Sequence, residues 1–205
     1  MLDQSRNHFQ LFGLPATFAQ DPEVLAERYH ALRQRVHPDL FATAGDRERR
    51  LSLQASTLVN EAYQTLKDPL ARARYLLLLK TGSVGDDQET TQDMAFLMEQ
   101  MELREALADA RSVSDPFSAI DRVRGRLSRL GEDLVAALAL RLDTARGQTG
   151  EEERRGLDPA PVSEVGGGLG AAEAAELREL IRKLQFVRKC EAEAEALEAE
   201  LEDAL

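Results

Sequence analysis

The chain has 205 residues, few aromatic residues, no tryptophan and a formal net charge of −11, and a chain of this length forms one or two domains with a real core. Because this net charge is strongly negative, the chain should bind nucleic acid and anionic membranes poorly, and we expect neither as a partner. The single cysteine, Cys190, excludes an internal disulfide and a multi-cysteine metal site. We predict no metal and no cofactor.

The composition and the charge distribution predict an all-α protein with two modules. Alanine, leucine, glutamate and arginine dominate, and these residues favour helices. Residues 1–80 hold 11 Lys/Arg and 9 Asp/Glu, whereas the remainder holds 15 and 28. The apolar run Tyr75–Leu79 is too short to cross a bilayer, and the first residues lack a secretory or transit pattern. We therefore expect a cytosolic protein whose neutral front and acidic rear have different partners.

Short helices with clear start and stop signals open the chain. A first helix is predicted from about Asn7 to Phe12. Asp21 and Pro22 are a suitable cap and first residue for a second helix. That helix ends at Val36, because proline at position 38 has no backbone N–H and clashes with the preceding turn. Its core stripe is predicted to be Leu25, Tyr29, Leu32 and Val36.

The tripeptide His37-Pro38-Asp39 is predicted to lie at the tip of a loop between two helices. The residue before proline is pushed toward extended backbone, so His37 leaves the helix. A third helix follows from Asp46 to Lys67, and a fourth runs from about Leu70 to Lys80. The third helix is predicted to turn these side chains inward: Leu51, Ala55, Leu58, Ala62, Tyr63 and Leu66.

A linker at 81–90 precedes a helix that has two apolar stripes on opposite sides. One stripe is Phe96, Leu103, Leu107 and Ala110, which suits a bundle core. The other, which we name the methionine ridge, comprises Met94, Leu97, Met98 and Met101. Three acidic residues, the acidic rim, flank it: Glu102, Glu105 and Asp109.

The methionine ridge has two interpretations. A middle helix of a bundle needs a second stripe if it touches two neighbours. Alternatively, the ridge binds a partner protein, since the flexible thioether of methionine adapts to another surface. An acidic rim would then steer a basic partner.

Two long helices complete the chain. One starts at Asp115-Pro116 and runs to about Arg146, and the other starts near Ala171 and runs almost to the end. The segment 147–170 between them is glycine-rich and lacks a hydrophobic period, which predicts a flexible loop. Phe186 lies about 180° from the core stripe of the last helix, so it is either packed on a neighbouring helix or exposed for binding.

The motifs of residues 1–80, taken together, resemble the J-domain of DnaJ-type co-chaperones. They are Asn7–Leu14, His37-Pro38-Asp39 and Asn60–Pro69, followed by Arg72 and Tyr75. The resemblance implies that the tripeptide joins two antiparallel helices and docks on an HscA- or DnaK-type ATPase, which then hydrolyses ATP faster. It also implies a basic docking face made by Arg28, Arg33 and Arg35, although Leu40 stands where a lysine commonly follows the tripeptide.

The stretch Met94–Leu107 is similar to the C-terminal domain of HscB-type co-chaperones, which serve iron–sulfur cluster assembly. The resemblance implies an L-shaped all-α fold: a J-domain helical hairpin (1–80), a linker (81–90) and a three-helix bundle (91–205). It implies no enzymatic activity, and a bacterial cytoplasmic location, because the zinc module and transit peptide of many mitochondrial relatives are absent. The residues that it assigns to binding the IscU-type scaffold protein are Leu97, Met98, Met101, Glu102, Glu105, Asp109 and Phe186.

Two alternatives are kept beside this assignment. The first is a general J-domain protein that delivers other clients. The chain has neither a glycine/phenylalanine-rich segment nor zinc cysteines, which disfavours this alternative. The second is a small hydrolase that uses His37 and Asp39. The chain holds three histidines, without helical metal-ligand spacing, and no glycine-rich phosphate loop, so this class is disfavoured.

Overall fold

A computed structural model describes residues 6–41, 45–85, 91–144 and 169–203. Within these ranges every regular element is a helix, which confirms the predicted all-α class. None of the helices described is long and apolar enough to span a membrane. The elements are α1 (His8–Phe12), α2 (Pro22–Val36), a short 3₁₀ helix (Pro38–Phe41), α3 (Asp46–Lys67), α4 (Pro69–Thr81), α5 (Met94–Ala110), α6 (Pro116–Thr144) and α7 (Ala171–Glu202).

The helices begin where local capping chemistry starts them. The side chain of Asp21 accepts the N–H groups of Glu23 and Val24, and Pro22 is the first residue of α2. Asp68 performs the same role for α4. Helix α4 ends at Gly82, whose φ of 74° is a left-handed conformation that favours glycine.

The chain divides into two compact units. The first unit comprises residues 1–83 and 142–169, and the second comprises 84–141 and 170–205. Residues 86–90 of the predicted linker lie outside the described residues. Of the predicted loop 147–170, the structure describes only Leu169 and Gly170, and Gly170 is the N-cap of α7.

In the first unit, α2 and α3 form an antiparallel hairpin. The hydroxyl of Ser52 donates to the carbonyl of Val36 at 2.8 Å, and the hydroxyl of Tyr29 donates to the side chain of Asn60 at 3.0 Å. A contact nearer the start of α2 therefore lies nearer the end of α3, so the two helices run in opposite directions. Tyr29 also stacks on Tyr63 with ring centroids 4.0 Å apart. Helices α1 and α4 pack on α3 as well.

The predicted inward face of α3 was partly wrong. Ala62 and Leu66 are buried as predicted, but the other members of the predicted stripe are only half-buried. Ser52 and Val59 are buried instead. Because α1, α2 and α4 all pack on α3, the buried face of α3 is rotated by about one residue from the face that the leucine spacing predicts. The half-buried members are Leu51, Ala55, Leu58 and Tyr63.

A buried aromatic that the sequence did not single out anchors the loop before α2. Phe18 is buried, and the carboxylate of Asp143 accepts its N–H at 2.6 Å and that of Ala19 at 2.9 Å. The guanidinium of Arg72 lies 4.9 Å from the centroid of the Phe18 ring. All four residues belong to the first unit.

The second unit is built from α5, most of α6 and α7. Its core is a set of large apolar side chains contributed by all three helices. Ion pairs join the helices at the surface, for example Arg124 with Glu198 at 2.7 Å. The core includes Phe96, Leu103, Leu107, Ile120, Leu127, Leu138, Leu177, Ile181 and Leu184.

Candidate functional site

The first candidate surface is the end of α2 and the turn that follows it. His37 is the C-cap of α2, with φ −60° and ψ 130°, and this extended backbone is what the residue before proline prefers. The predicted open loop tip was wrong in one respect, since Pro38 immediately starts a 3₁₀ helix. The N–H of Leu40 donates to the carbonyl of His37 at 3.1 Å and closes this turn.

The turn presents its polar side chains to solvent. The N–H of Asp39 donates to Nδ1 of His37 at 3.3 Å, and a carboxylate oxygen of Asp39 lies 3.5 Å from the same nitrogen. The side chain of Asp39 is 89% exposed. Such an open pair lacks a water-excluding pocket, which disfavours the hydrolase alternative.

The three predicted docking arginines are exposed on α2. Arg28, Arg33 and Arg35 are exposed, whereas Leu25 and Val36 of the same helix are buried. No group of three or more metal-ligating side chains occurs among the described residues. The exposed arginines and the polar turn offer charge and hydrogen bonds to a partner.

The second candidate surface is the outer face of α5. Asp93 caps the helix by accepting the N–H groups of Ala95 at 3.0 Å and Phe96 at 3.2 Å. The core stripe of this helix is buried as predicted. On the opposite side the exposed fractions are 70% for Met94, 63% for Met98 and 72% for Met101.

The methionine ridge is therefore an exposed apolar surface rather than a second contact face inside the bundle. Leu97, its fourth member, is half-buried at the edge. The acidic rim is exposed along the same helix. An apolar strip of adaptable side chains beside carboxylates suits a protein partner with apolar and basic groups.

Phe186 does not lie open beside this ridge. Its side chain is 8% exposed, and its ring meets that of Phe96 edge to face at a centroid distance of 5.7 Å. The guanidinium of Arg104 covers it at 5.4 Å. The sequence left two interpretations of Phe186, and the structure shows that it packs on a neighbouring helix.

Two cations near the ridge were missed by sequence reasoning. Arg126 of α6 lies 3.2 Å from Glu102 of the acidic rim. Lys183 of α7 lies 2.6 Å from Asp93 at the start of α5. No local pattern could reveal them, because each partner comes from a helix distant in sequence. Cys190 is buried, and burial raises the pKa of its thiol.

The fold and the relatives are those of a J-type co-chaperone. Residues 92–151 match the family model of the HSCB C-terminal oligomerisation domain. The chain is 37% identical over 195 residues to the co-chaperone protein HscB homolog of Vibrio parahaemolyticus, covering 95% of this chain and 98% of the relative. The homolog from Vibrio cholerae is 38% identical over 195 residues, with the same coverage.

Solved structures agree with these sequence relatives. The chaperone HscB from Vibrio cholerae has a TM-score of 0.73 and 36% identity, over 96% of this chain and 99% of that one. The human co-chaperone HscB has the same fold, with a TM-score of 0.75 and 24% identity, over 95% of this chain and 83% of that one. The chain belongs to the HscB family of co-chaperones.

Proposed function

We propose that this chain is a cytoplasmic bacterial adaptor that stimulates the ATPase of an HscA- or DnaK-type chaperone and delivers an IscU-type iron–sulfur scaffold protein to it. The observation that carries the proposal is a turn that presents a half-exposed His37 and an exposed Asp39 in one compact unit, and exposed methionines of the ridge in the other. Each surface suits a protein partner, and neither suits catalysis by the chain itself.

The chaperone side of the proposal rests on the first unit. His37 and Asp39 stand at the end of α2, which carries three exposed arginines, Arg28, Arg33 and Arg35. Exposed arginines attract an acidic surface and accelerate its association. The tripeptide then makes the specific contact, in the way that the resemblance to J-domains implies.

The scaffold side rests on the second unit. The residues assigned to it are the exposed ridge members Met98 and Met101, the half-buried Leu97, and the acidic rim. Phe186 is assigned a supporting role, because its ring packs behind α5 rather than facing solvent. A general J-domain protein that delivers other clients is the alternative. Specific binding of the scaffold through the ridge would favour the proposed function over this alternative.

Self-association through the ridge is a second candidate, favoured by the exposed apolar strip and by the oligomerisation named in the matching family model. The acidic rim argues against it. Two copies meeting through this face would bring like charges together, which opposes association. Light scattering with Met98→Ala distinguishes the two: a dimer that dissociates in the variant would favour self-association.

The decisive experiment is chaperone ATPase turnover with and without the scaffold. We expect the wild-type chain to stimulate turnover and His37→Gln to return it to the basal rate, while scaffold affinity stays at the wild-type value. The matched control is His8→Gln, the same substitution in α1, which should retain stimulation. Stimulation by His37→Gln equal to wild type would contradict the proposal.

A further inference from the structure

The start of the ridge helix is held by a cation from another helix. Lys183 lies on α7, with its side chain 16% exposed, and its Nζ is 2.6 Å from a carboxylate oxygen of Asp93. The other oxygen of Asp93 accepts the N–H groups of Ala95 and Phe96. The bond to Lys183 is the main cause that lowers the pKa of Asp93. One ammonium therefore fixes the residue that begins α5.

The same ammonium also covers an aromatic ring of α5. Its Nζ lies 5.1 Å from the centroid of Phe96, within the range of a cation–π interaction. Phe96 also meets Phe186 edge to face, and Arg104 covers Phe186. Helices α5 and α7 thus each contribute one ring and one cation. We name this group of four the cation–aromatic clasp.

Phe96, the α5 ring of the clasp, lies on the buried side of α5, opposite the methionine ridge. Leu97 and Met98 follow Phe96 in the same helical turn, so any rotation or fraying of that turn moves both of them. Thr91, just before the cap, donates to Glu179 of α7, which places a second anchor one turn of α7 from Lys183. The start of the ridge helix is therefore joined to α7 by two polar contacts, one from Asp93 and one from Thr91.

We propose that Lys183 is a positioning residue for scaffold binding: through Asp93 and Phe96 it holds the first turn of α5 in register with α7, so that Leu97 and Met98 are presented in one fixed arrangement. The inference rests on the proposed function, because it concerns the surface assigned to the scaffold. Lys183 itself lies behind the ridge and is not one of the residues assigned to scaffold contact.

The chain supplies a matched control. Arg124 and Glu198 form another ion pair between helices of the same unit, at 2.7 Å. Neither residue belongs to α5, so this pair stabilises the bundle without touching the ridge helix. A general loss of bundle stability can therefore be separated from a loss of ridge position.

The experiment compares Lys183→Gln, Lys183→Arg and Arg124→Gln in the full chain, with purified IscU-type scaffold as the probe. Lys183→Gln should weaken scaffold binding about tenfold by calorimetry, since a charge-assisted hydrogen bond is lost. Lys183→Arg should restore most of the affinity, because a guanidinium reaches the same partners. Arg124→Gln should bind as wild type does, and all variants should stimulate the chaperone ATPase normally in the absence of scaffold.

Hydrogen exchange supplies the structural readout. In Lys183→Gln the amides of residues 94–98 should exchange faster, while those of residues 104–110 stay protected. Wild-type affinity in Lys183→Gln would overturn the inference, and so would an affinity loss in Arg124→Gln as large as in Lys183→Gln. If the wild-type chain bound no scaffold, the proposed function would fail and the positioning role with it. That failure is distinguishable, because it appears in the wild type rather than in the comparison of variants.

Discussion

The two candidate surfaces are built in different ways. The surface of the first unit is a break in helical structure: Pro38 ends α2, and a 3₁₀ turn displays His37 and Asp39. The surface of the second unit is an uninterrupted, well-capped helix whose outer stripe is apolar. The first offers polar groups with a defined backbone geometry, whereas the second offers adaptable apolar area.

This difference indicates how each surface should respond to substitution. At the turn, we expect one side chain to carry most of the specificity, because few groups are presented. On the ridge, we expect the binding energy to be spread over several side chains, of which a few anchors dominate. Substitutions in one unit should therefore leave the activity of the other intact, and the following predictions test that separation.

The largest effect is expected from Leu97→Ala. Truncating an apolar anchor costs ~2 kcal/mol, which is roughly a thirtyfold loss of scaffold affinity. ATPase stimulation without scaffold should remain unchanged, because Leu97 belongs to the second unit. Titration calorimetry and ATPase turnover measure the two activities.

The matched control for Leu97→Ala is Leu140→Ala, since Leu140 is a 63% exposed leucine on α6. It should bind scaffold with wild-type affinity. Equal losses in both variants would mean that the ridge is not a specific surface, and a fall in both activities of Leu97→Ala would break the division of labour between the units.

A smaller effect is expected from Ser52→Ala in the first unit. Ser52 is buried and donates to the carbonyl of Val36, the last residue of α2 before the tripeptide. Its loss leaves that carbonyl without its donor and should lower the free energy of unfolding by about 1 kcal/mol. Chemical denaturation and ATPase stimulation should both respond, whereas scaffold affinity should not.

The control for Ser52→Ala is Thr57→Ala on the same helix. Thr57 donates to the carbonyl of Leu53 at an exposed position, so its removal should be almost neutral. A change of similar size in both variants would indicate that helix propensity, rather than the support of the turn, is responsible.

A gain of affinity is expected from Arg126→Gln. Arg126 lies 3.2 Å from Glu102 and competes with a basic partner for that carboxylate. Exposed ion pairs contribute ~0–1 kcal/mol, so scaffold affinity should rise about two- to fivefold at low salt and return to the wild-type value at high salt. Arg129→Gln, an exposed arginine on the same helix, is the control. Weaker binding in Arg126→Gln would show that Arg126 itself contacts the partner.

The smallest effect concerns pH and the first unit. Burial lowers the pKa of His8 below its usual value of 6.5, against a smaller opposing influence of Glu61. The folded state therefore favours neutral His8, so its contribution is present above pH 6.5 and is lost as the pH falls below that value.

His8→Phe tests this contribution, because it keeps a ring against Tyr75, on which His8 stacks at 4.3 Å. The variant should lose less stability than the wild type when the pH falls from about 7.5 to 5.5. Thermal unfolding at the two pH values measures the difference. Identical losses in both proteins would assign the acid sensitivity to other groups.

The sequence by itself determined where the helices begin and end and that α5 has two apolar sides. Caps such as Asp21-Pro22 act within one turn, and stripe spacing is a property of a single helix. The family also follows from local motifs, because they are short and occur in a fixed order. These features were predicted correctly because they depend on residues close together in the chain.

Only the tertiary structure decided which surfaces are covered. It placed Phe186 against Phe96, left Met98 exposed, and turned Ser52 and Val59 of α3 inward. It also brought Lys183 to Asp93 and Arg126 to Glu102. These pairings depend on how whole helices approach one another, and the spacing of residues along one helix carries no information about the side chains that a neighbouring helix presents.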